Sequence, residues 1–232
     1  MSDMRSGMAP GAPFQIDFVG DVVCPWCYLG WTRLKAARAM RPELNTLVAW
    51  RPFQLQFDIP EQGIPYAAFM AGLFPDPERR RQMDTHLTAL GAAEGLDFRL
   101  DAIPLRPNTN AAHRVIRWAG ERGGAVAEAI MRAYFSQGRD IGDHQVLTDI
   151  AVEQGLDSDA VMARLTLGED VMAVDQDCAA ASRAGISGVP FMIFGSRVAA
   201  AGAEAADRIL AAIDQALTLQ AQESGAQASG RP

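Results

Sequence analysis

The sequence Asp-Val-Val-Cys-Pro-Trp-Cys at residues 21–27 stands where a predicted strand passes into a predicted helix. Apolar and polar residues alternate over residues 14–18, which is typical of a strand with one buried face. Pro25 suits the first turn of a helix, because its missing N–H would have no partner there. We therefore expect the pair Cys24 and Cys27 at a helix start. Apolar residues then recur at helical spacing, at Leu29, Leu34, Ala37 and Met40.

The rest of the chain supplies the other elements of an α/β domain. An apolar segment at 47–53 completes a strand–helix–strand unit, whose crossover should be right-handed. Residues 61–168 show amphipathic helical patterns without a convincing strand signal. A helix is expected at 169–184, followed by two strands within 186–201 and a closing helix at 203–219. This order predicts an α/β, thioredoxin-like fold, β-α-β and then α-β-β-α, with a helical domain inserted between the two halves.

The same patterns give the expected domain boundaries. The thioredoxin-like domain is assigned to residues 13–60 and 169–220, and the helical insertion to residues 61–168. Residues 1–12 are rich in Gly, Pro, Met and Ser, and residues 221–232 are polar and rich in Gly and Ala. Such segments bury little apolar surface, so both are expected to be flexible tails.

The composition excludes several classes of protein. The 232 residues carry a formal net charge of −7 and are 49% hydrophobic. This apolar fraction is too high for a disordered chain, and the acidic balance argues against a nucleic-acid partner. No segment approaches the roughly 18 apolar residues of a transmembrane helix, so no membrane partner is expected. The N-terminal residues lack the apolar run of a signal peptide, which favours the cytoplasm, where thiols are kept reduced.

Three cysteines are too few for a disulfide framework, so the pair Cys24 and Cys27 needs a chemical explanation. The thiolate is the reactive form of cysteine, and the unpaired N–H groups of a helix N-terminus stabilise negative charge. Cys24 is therefore expected to attack a substrate disulfide, and Cys27, one turn further inside, to resolve the mixed disulfide. Pro25 and Trp26 would tune the redox potential. Trp26 is also expected at the surface, as an apolar platform for a peptide or glutathione.

A zinc-stabilised interaction module is an alternative interpretation of a C-x-x-C pair. A structural zinc site needs four ligands, usually from two such pairs, and this sequence has no second pair. No metal site is therefore expected. Cys178 lies in an Ala-rich segment and is expected to be a small buried core residue. Asp21, three residues before Cys24, either caps the helix or relays protons to Cys27, and the cap is favoured.

A second part of the site is expected at Gly188-Val189-Pro190. The Val189–Pro190 bond follows a helix stop and directly precedes an apolar strand, a position that favours a cis bond above the low general frequency. A cis-proline beside the thiols would expose the backbone of Val189 as a strand edge. A substrate chain would pair with such an edge. A plain turn that starts the strand is the alternative.

Three segments resemble a known family: DVVCPWCYLG (21–30), AAHRVIRWA (111–119) and GISGVPFMIF (185–194). They are similar to the DsbA-like thioredoxin superfamily, and within it to the FrnE-type cytoplasmic dithiol oxidoreductases. The resemblance implies a thiol–disulfide oxidoreductase or isomerase with Cys24 as nucleophile and Cys27 as resolving thiol. It also implies Pro190 as the cis-proline and a helical insertion that covers the active-site groove.

The resemblance adds expected substrate contacts. Pro25, Trp26, Gly188 and Val189 come from the two motifs, and Asn110 and His113 from the start of an insertion helix near the groove. For the last two, a capping Asn and a surface His remain the alternative.

An alternative function comes from relatives with the same fold. The 2-hydroxychromene-2-carboxylate isomerases and kappa-class glutathione transferases have Ser at the nucleophile position and bind glutathione. A glutathione-dependent isomerase or transferase is thus the alternative, although the presence of both Cys24 and Cys27 favours dithiol exchange. No cofactor is expected beyond the redox-active disulfide, with glutathione as a candidate co-substrate. The expected partner is a disulfide-bearing protein or a glutathione-like molecule. The oligomeric state stays open, a homodimer included.

Overall fold

The computed structural model describes residues 12–229. Within this range the secondary structure runs in the order β1 (Phe14–Gly20), α1 (Pro25–Ala39), β2 (Thr46–Pro52), β3 (Ile64–Pro65), α2 (Tyr66–Leu73), α3 (Pro77–Ala93), β4 (Leu105–Arg106), α4 (Asn110–Trp118), α5 (Gly123–Gln137), α6 (His144–Glu153), α7 (Ser158–Thr166), α8 (Val171–Arg183), β5 (Phe191–Phe194), β6 (Val198–Ala201) and α9 (Ala206–Ser229). Two short 3-10 helices lie at Leu100–Ala102 and Gly120–Arg122.

Four strands form the main sheet, in the order β2-β1-β5-β6. The β1 and β2 strands are parallel and joined by α1, with Phe14 opposite Thr46. The β5 strand runs antiparallel to both β1 and β6. A parallel β-α-β unit followed by an antiparallel β-β pair, with helices between them, is the predicted α/β thioredoxin-like fold, which is therefore confirmed.

The hydrophobic core is continuous from the sheet into the inserted helices. The ring of Trp31 on α1 meets Phe18 of β1 edge to face, with 5.3 Å between centroids, and lies 5.8 Å from Trp50 of β2. A Cβ added at Gly124 of α5 would lie 2.3 Å from the Trp31 indole, so the backbone of α5 packs directly on the Trp31 ring of α1. The α1 helix, which begins at the cysteine motif, thus packs between the sheet and the insertion.

Two expectations about secondary structure were wrong in part. The segment predicted to lack strands contains the antiparallel pair β3 and β4. Each strand has two residues, which is too short for an alternating pattern to show in the sequence. Helix α9 continues to Ser229, through most of the predicted tail at 221–232. Its Gln, Ala and Glu residues are good helix formers, and they extend a helix that is already nucleated by packing.

The predicted N-terminal tail lies almost entirely outside the described residues, as do residues 230–232. Among residues 12–229, no helix combines the length and the apolar character needed to cross a membrane.

Candidate active site

Cys24 occupies the N-cap position of α1, as the sequence predicts. Its backbone is extended, with φ −96° and ψ 113°, and Pro25 is the first residue of the helix. The Cys24 carbonyl accepts hydrogen bonds from the N–H groups of Cys27 at 3.0 Å and Tyr28 at 3.3 Å, so the first helical turn is closed. In the described part of the chain, no side chain caps this helix end. The partial positive charge at the helix N-terminus is therefore available to interact with the Cys24 sulfur.

The Val189–Pro190 loop lies directly against the nucleophile. The Val189–Pro190 peptide bond is cis, and the Cys24 thiol donates to the Val189 carbonyl at 3.7 Å across 165 residues of sequence. The approach depends on Gly30 of α1, where an added Cβ would lie 2.9 Å from Cγ of Pro190. The Pro190 carbonyl accepts from the Gly202 N–H at 2.8 Å, which holds the loop from the other side.

Cys27 and Cys24 lie one helical turn apart, and both are buried free thiols. Cys27 is the deeper of the two, with 0% of its surface exposed against 4% for Cys24. Burial raises the pKa of the Cys27 thiol well above its usual value, and the neighbouring Cys24 raises it further. The backbone of Asp21 lowers this pKa by hydrogen bonding to Cys27, whereas the Asp21 carboxylate raises it. Cys27 thus needs a base to lose its proton at neutral pH.

Asp21 lies behind the thiol pair and does not cap α1, so the favoured sequence interpretation is wrong. Its carboxylate is buried, and its Oδ2 accepts from the N–H of Leu55 at 2.9 Å. The Asp21 carbonyl accepts from the Cys24 N–H in a tight turn, which sends the side chain inward instead of toward the helix end. Burial raises the pKa of Asp21, but contacts with His113, Arg106 and Leu55 outweigh it, and the pKa lies below its usual value.

A groove of about 290 Å³ opens beside Cys24. One wall is formed by the two motifs, through Cys24, Pro25, Trp26, Gly188 and Val189. The other wall belongs to the insertion and is mostly apolar, formed by Tyr66, Phe69, Met70, Leu73, Phe74, Met83, Leu87 and Leu100, with Asp84 and Arg106. The insertion therefore covers the active-site groove, in agreement with what the resemblance implies.

Arg106 of β4 joins the insertion to the cysteine loop, and sequence reasoning missed it. One of its terminal nitrogens donates to the Val23 carbonyl at 2.8 Å, and the other contacts Oε1 of Gln56. Its guanidinium also lies 4.8 Å from the centroid of the Phe69 ring. The residue is only 5% exposed. No local pattern signals this role, because the partner carbonyl is 83 residues away in the sequence.

Four of the predicted substrate contacts line this groove, and two do not. Pro25, Trp26, Gly188 and Val189 lie on its wall, and they stay predicted contacts. Asn110 lines a separate cavity of about 290 Å³, where its side chain donates to the Val171 carbonyl and to Asp175.

The expectation that His113 contacts substrate is corrected by its burial, because none of its side-chain surface is exposed. Its alternative, a surface His, is wrong for the same reason. The apolar positions Ala112, Val115 and Ile116 beside it turn this face of α4 into the core.

Cys178 is not the core residue expected from its Ala-rich helix. It is half-buried and lines a cavity of about 550 Å³ beside Phe53, Gln54 and Asp175. Burial raises the pKa of its thiol to about 12, and the charge of Asp21 contributes to the shift. A thiol in this state is a poor nucleophile. In residues 12–229, no group of three or more His, Cys, Asp or Glu residues is arranged to hold a metal ion.

Comparison with known proteins agrees with this geometry. The family model of the DSBA-like thioredoxin domain matches residues 15–214. The chain belongs to this family. Membership implies an enzyme of the oxidoreductase class, and the predicted DsbA-like assignment is confirmed.

The chain is also similar to individual proteins. The uncharacterized protein YwbO from Bacillus subtilis (strain 168) is 25% identical over 144 residues, 61% of this chain and 66% of that protein, so the match spans just under two thirds of its length. A probable DsbA oxidoreductase, SCO1869 from Streptomyces coelicolor, is 28% identical with a TM-score of 0.80, over 88% of this chain and 90% of that one. The cytosolic disulfide reductase DsbM from Pseudomonas aeruginosa, solved with GSH, has the same fold at 22% identity and a TM-score of 0.59, over 90% and 99% of the two chains.

Proposed function

We propose that the protein is a dithiol oxidoreductase of the FrnE type, which exchanges disulfides through Cys24-Pro25-Trp26-Cys27. One observation carries the proposal. The Cys24 thiol stands at the positive end of α1, 3.7 Å from the Val189 carbonyl, with the buried thiol of Cys27 one turn behind it. This arrangement pairs a thiol at a helix N-terminus with a second, deeper thiol, which is the requirement for forming and then resolving a mixed disulfide.

The reaction follows from the difference between the two thiols. The Cys24 thiolate attacks one sulfur of the substrate disulfide, forms a mixed disulfide and releases the other substrate sulfur as a thiolate. Cys27 then loses its proton and attacks Cys24. The new Cys24–Cys27 bond forms as the second substrate thiolate leaves, so the substrate gains two electrons and the enzyme loses two. Asp21 is the candidate base for this proton, because its Oδ1 is buried and has no hydrogen-bond partner among residues 12–229.

The groove favours substrates with apolar groups beside the disulfide. Its insertion wall is aromatic and aliphatic, and the rim residues Trp26 and Leu73 are 37% and 54% exposed. Transfer of apolar surface into such a groove supplies about 25 cal/mol per Å². Protein disulfides exposed by partial unfolding have this chemistry, and the edge at Val189 offers main-chain hydrogen bonds to an extended peptide.

Glutathione is the proposed co-substrate that returns the oxidised pair to the dithiol. The relative DsbM is a cytosolic disulfide reductase solved with GSH, and a cytoplasmic location for this chain is a proposal of the same kind. The cytosolic glutathione poise keeps an oxidising dithiol pair mostly reduced. The direction proposed is therefore reduction or isomerisation of substrate disulfides, not net oxidation.

Insulin reduction in the presence of glutathione tests the proposal with three serine variants. Cys24→Ser should abolish turnover. Incubated with insulin in the absence of glutathione, Cys27→Ser should form a mixed disulfide at Cys24 that no second thiol resolves, so it accumulates and can be identified by mass. Cys178→Ser is the matched control and should have the wild-type rate. Equal rates for wild type and Cys24→Ser would overturn the proposal. Full activity of Cys27→Ser would instead favour the glutathione-dependent isomerase or transferase.

A further inference from the structure

His113 is a buried side chain that the exchange reaction does not use directly. It projects from α4 of the insertion toward the cysteine loop, with none of its side-chain surface exposed. Its Nδ1 lies 3.3 Å from Nε1 of Trp50, and its Nε2 lies 3.2 Å from the Phe53 carbonyl and 3.5 Å from Oδ1 of Asp21. Each ring nitrogen therefore faces a group whose hydrogen-bonding role is fixed.

These partners select one form of the imidazole. The indole N–H of Trp50 can only donate, so Nδ1 must carry a lone pair. The Phe53 carbonyl can only accept, so Nε2 must carry the proton. A second proton on Nδ1 would point at the Trp50 N–H. The pocket thus holds His113 as the neutral Nε2–H tautomer.

The proton on Nε2 also faces the carboxylate of Asp21. At 3.5 Å the contact is too long for a good hydrogen bond, and it leaves Oδ1 without a partner. It still places the positive end of an N–H dipole against a buried charge, where water is absent and the field is weakly screened. Arg106 adds a full positive charge, and the Leu55 N–H binds the other oxygen.

Within residues 12–229, four further ionisable groups interact electrostatically with Asp21. They are Cys27 on α1, Arg106 on β4, Tyr134 on α5 and Cys178 on α8. Burial raises the pKa of each of the two thiols and of the Tyr134 hydroxyl, so these three stay neutral near pH 7. Asp21 is then the buried anion that faces the thiol of Cys27.

We propose that His113 is a positioning residue for the resolving step. Its neutral N–H keeps the Asp21 carboxylate ionised while leaving Oδ1 free to accept the Cys27 proton. As that proton passes to Oδ1, the Cys27 sulfur forms its bond to Cys24 and the substrate thiolate leaves. The inference rests on the proposed dithiol exchange. It assigns to the insertion a part in the chemistry as well as in covering the groove.

The pH profile of the resolving step provides the kinetic test, in wild type, His113→Leu and His113→Gln. Leucine removes the N–H, so Asp21 should become protonated at higher pH. The rising limb should move to higher pH, which means severalfold slower resolution on its acid side. Glutamine keeps a neutral N–H donor and should restore most of the wild-type profile. His86→Leu, at an exposed position, is the matched control and should not shift it. A His113→Leu profile that coincides with wild type would overturn the proposal.

Two NMR measurements test the inference without any turnover. In ¹⁵N spectra of the reduced wild type at pH 8, His113 should be unprotonated at Nδ1, which accepts from the Trp50 indole, and protonated at Nε2, which faces the Phe53 carbonyl. A proton on Nδ1 instead of Nε2 would overturn the proposal.

In ¹³C spectra, the Asp21 carboxyl, assigned by its loss in Asp21→Asn, should titrate at higher pH in His113→Leu than in His113→Gln. Equal midpoints would overturn the proposal. An absence of disulfide exchange by the wild type would overturn the proposed function instead, and these spectra would still decide the role of His113.

Discussion

Gly30 faces Pro190 across the active site, and its replacement by alanine tests how tightly the two parts of the site fit. The new Cβ would lie 2.9 Å from Cγ and 3.4 Å from Cβ of Pro190, and 3.6 Å from Cα of Ala203. Carbon atoms are best separated by about 3.5–4.0 Å, so Pro190 must retreat from α1 by roughly half an ångström or more. Its ring is rigid and its carbonyl is held by Gly202, so the retreat requires movement of the loop.

The expected magnitude follows from two opposing effects. Overpacking of this kind costs about 1–3 kcal/mol, whereas exchange of Gly for Ala in a helix interior gains up to about 1 kcal/mol. Gly72→Ala on α2 is the matched control, because it lies in a helix and no atom of residues 12–229, apart from its chain neighbours and the backbone of its own helix, comes within 4 Å of the added Cβ. With the propensity gain roughly cancelled, Gly30→Ala should be about 1–3 kcal/mol less stable than Gly72→Ala.

Urea denaturation gives the free energies of unfolding, and insulin reduction gives the exchange rates. Gly30→Ala should lose stability relative to its control and should exchange disulfides severalfold more slowly, because the 3.7 Å contact between Cys24 and Val189 widens. Gly72→Ala should have the wild-type rate. If both variants have equal stability and wild-type rates, then Pro190 moves away without a loss of folding free energy. In that case the close packing of Gly30 against Pro190 does not set the geometry of the site.

Three other perturbations have definite expected outcomes. Burial raises the pKa of Cys178 to about 12, so its alkylation by iodoacetamide should be slow at pH 8 and should accelerate only as the pH approaches 12, as mass spectrometry of digests will show. Leu73→Ser should raise KM for peptide disulfides with apolar flanks and leave KM for a small hydrophilic disulfide unchanged; equal effects on both would contradict the groove assignment. Arg106→Met leaves the buried Val23 carbonyl without its donor and should cost about 1–3 kcal/mol in urea denaturation, whereas Arg208→Met, at a side chain 76% exposed, should cost almost nothing.

The sequence predicts those parts of the site that depend on local signals. Pro25 marks the start of α1, and the spacing of Cys24 and Cys27 puts both on one helical turn. The Gly188-Val189-Pro190 motif sits before a short apolar strand, and the strand is found at Phe191–Phe194. In each case, residues within about one turn or one strand carry the information.

The parts that were missed depend on contacts between distant residues. Arg106 meets Val23 across 83 residues, and His113 meets Phe53 across 60, so no spacing rule connects either pair. Asp21 was misjudged for a related reason. An Asp shortly before a helix start is a residue type that commonly caps helices. Here, however, the tight turn between Asp21 and Cys24 directs the carboxylate into the core.

Arg106 and His113, the two donors that act over long sequence distances, give the insertion a part in shaping the site. Arg106 donates to the Val23 carbonyl, just before Cys24, and His113 contacts the Phe53 carbonyl, just after β2. The insertion therefore holds the cysteine loop that carries Asp21 and also the segment after β2 whose Leu55 N–H binds the Asp21 carboxylate. Both donors are buried, and each acceptor carbonyl would otherwise need water that the core does not admit. The position of Asp21 behind the thiols is therefore fixed by residues of the insertion. A thioredoxin-like half without these donors would retain Cys24 at its helix start but would lose the buried setting of the proposed base.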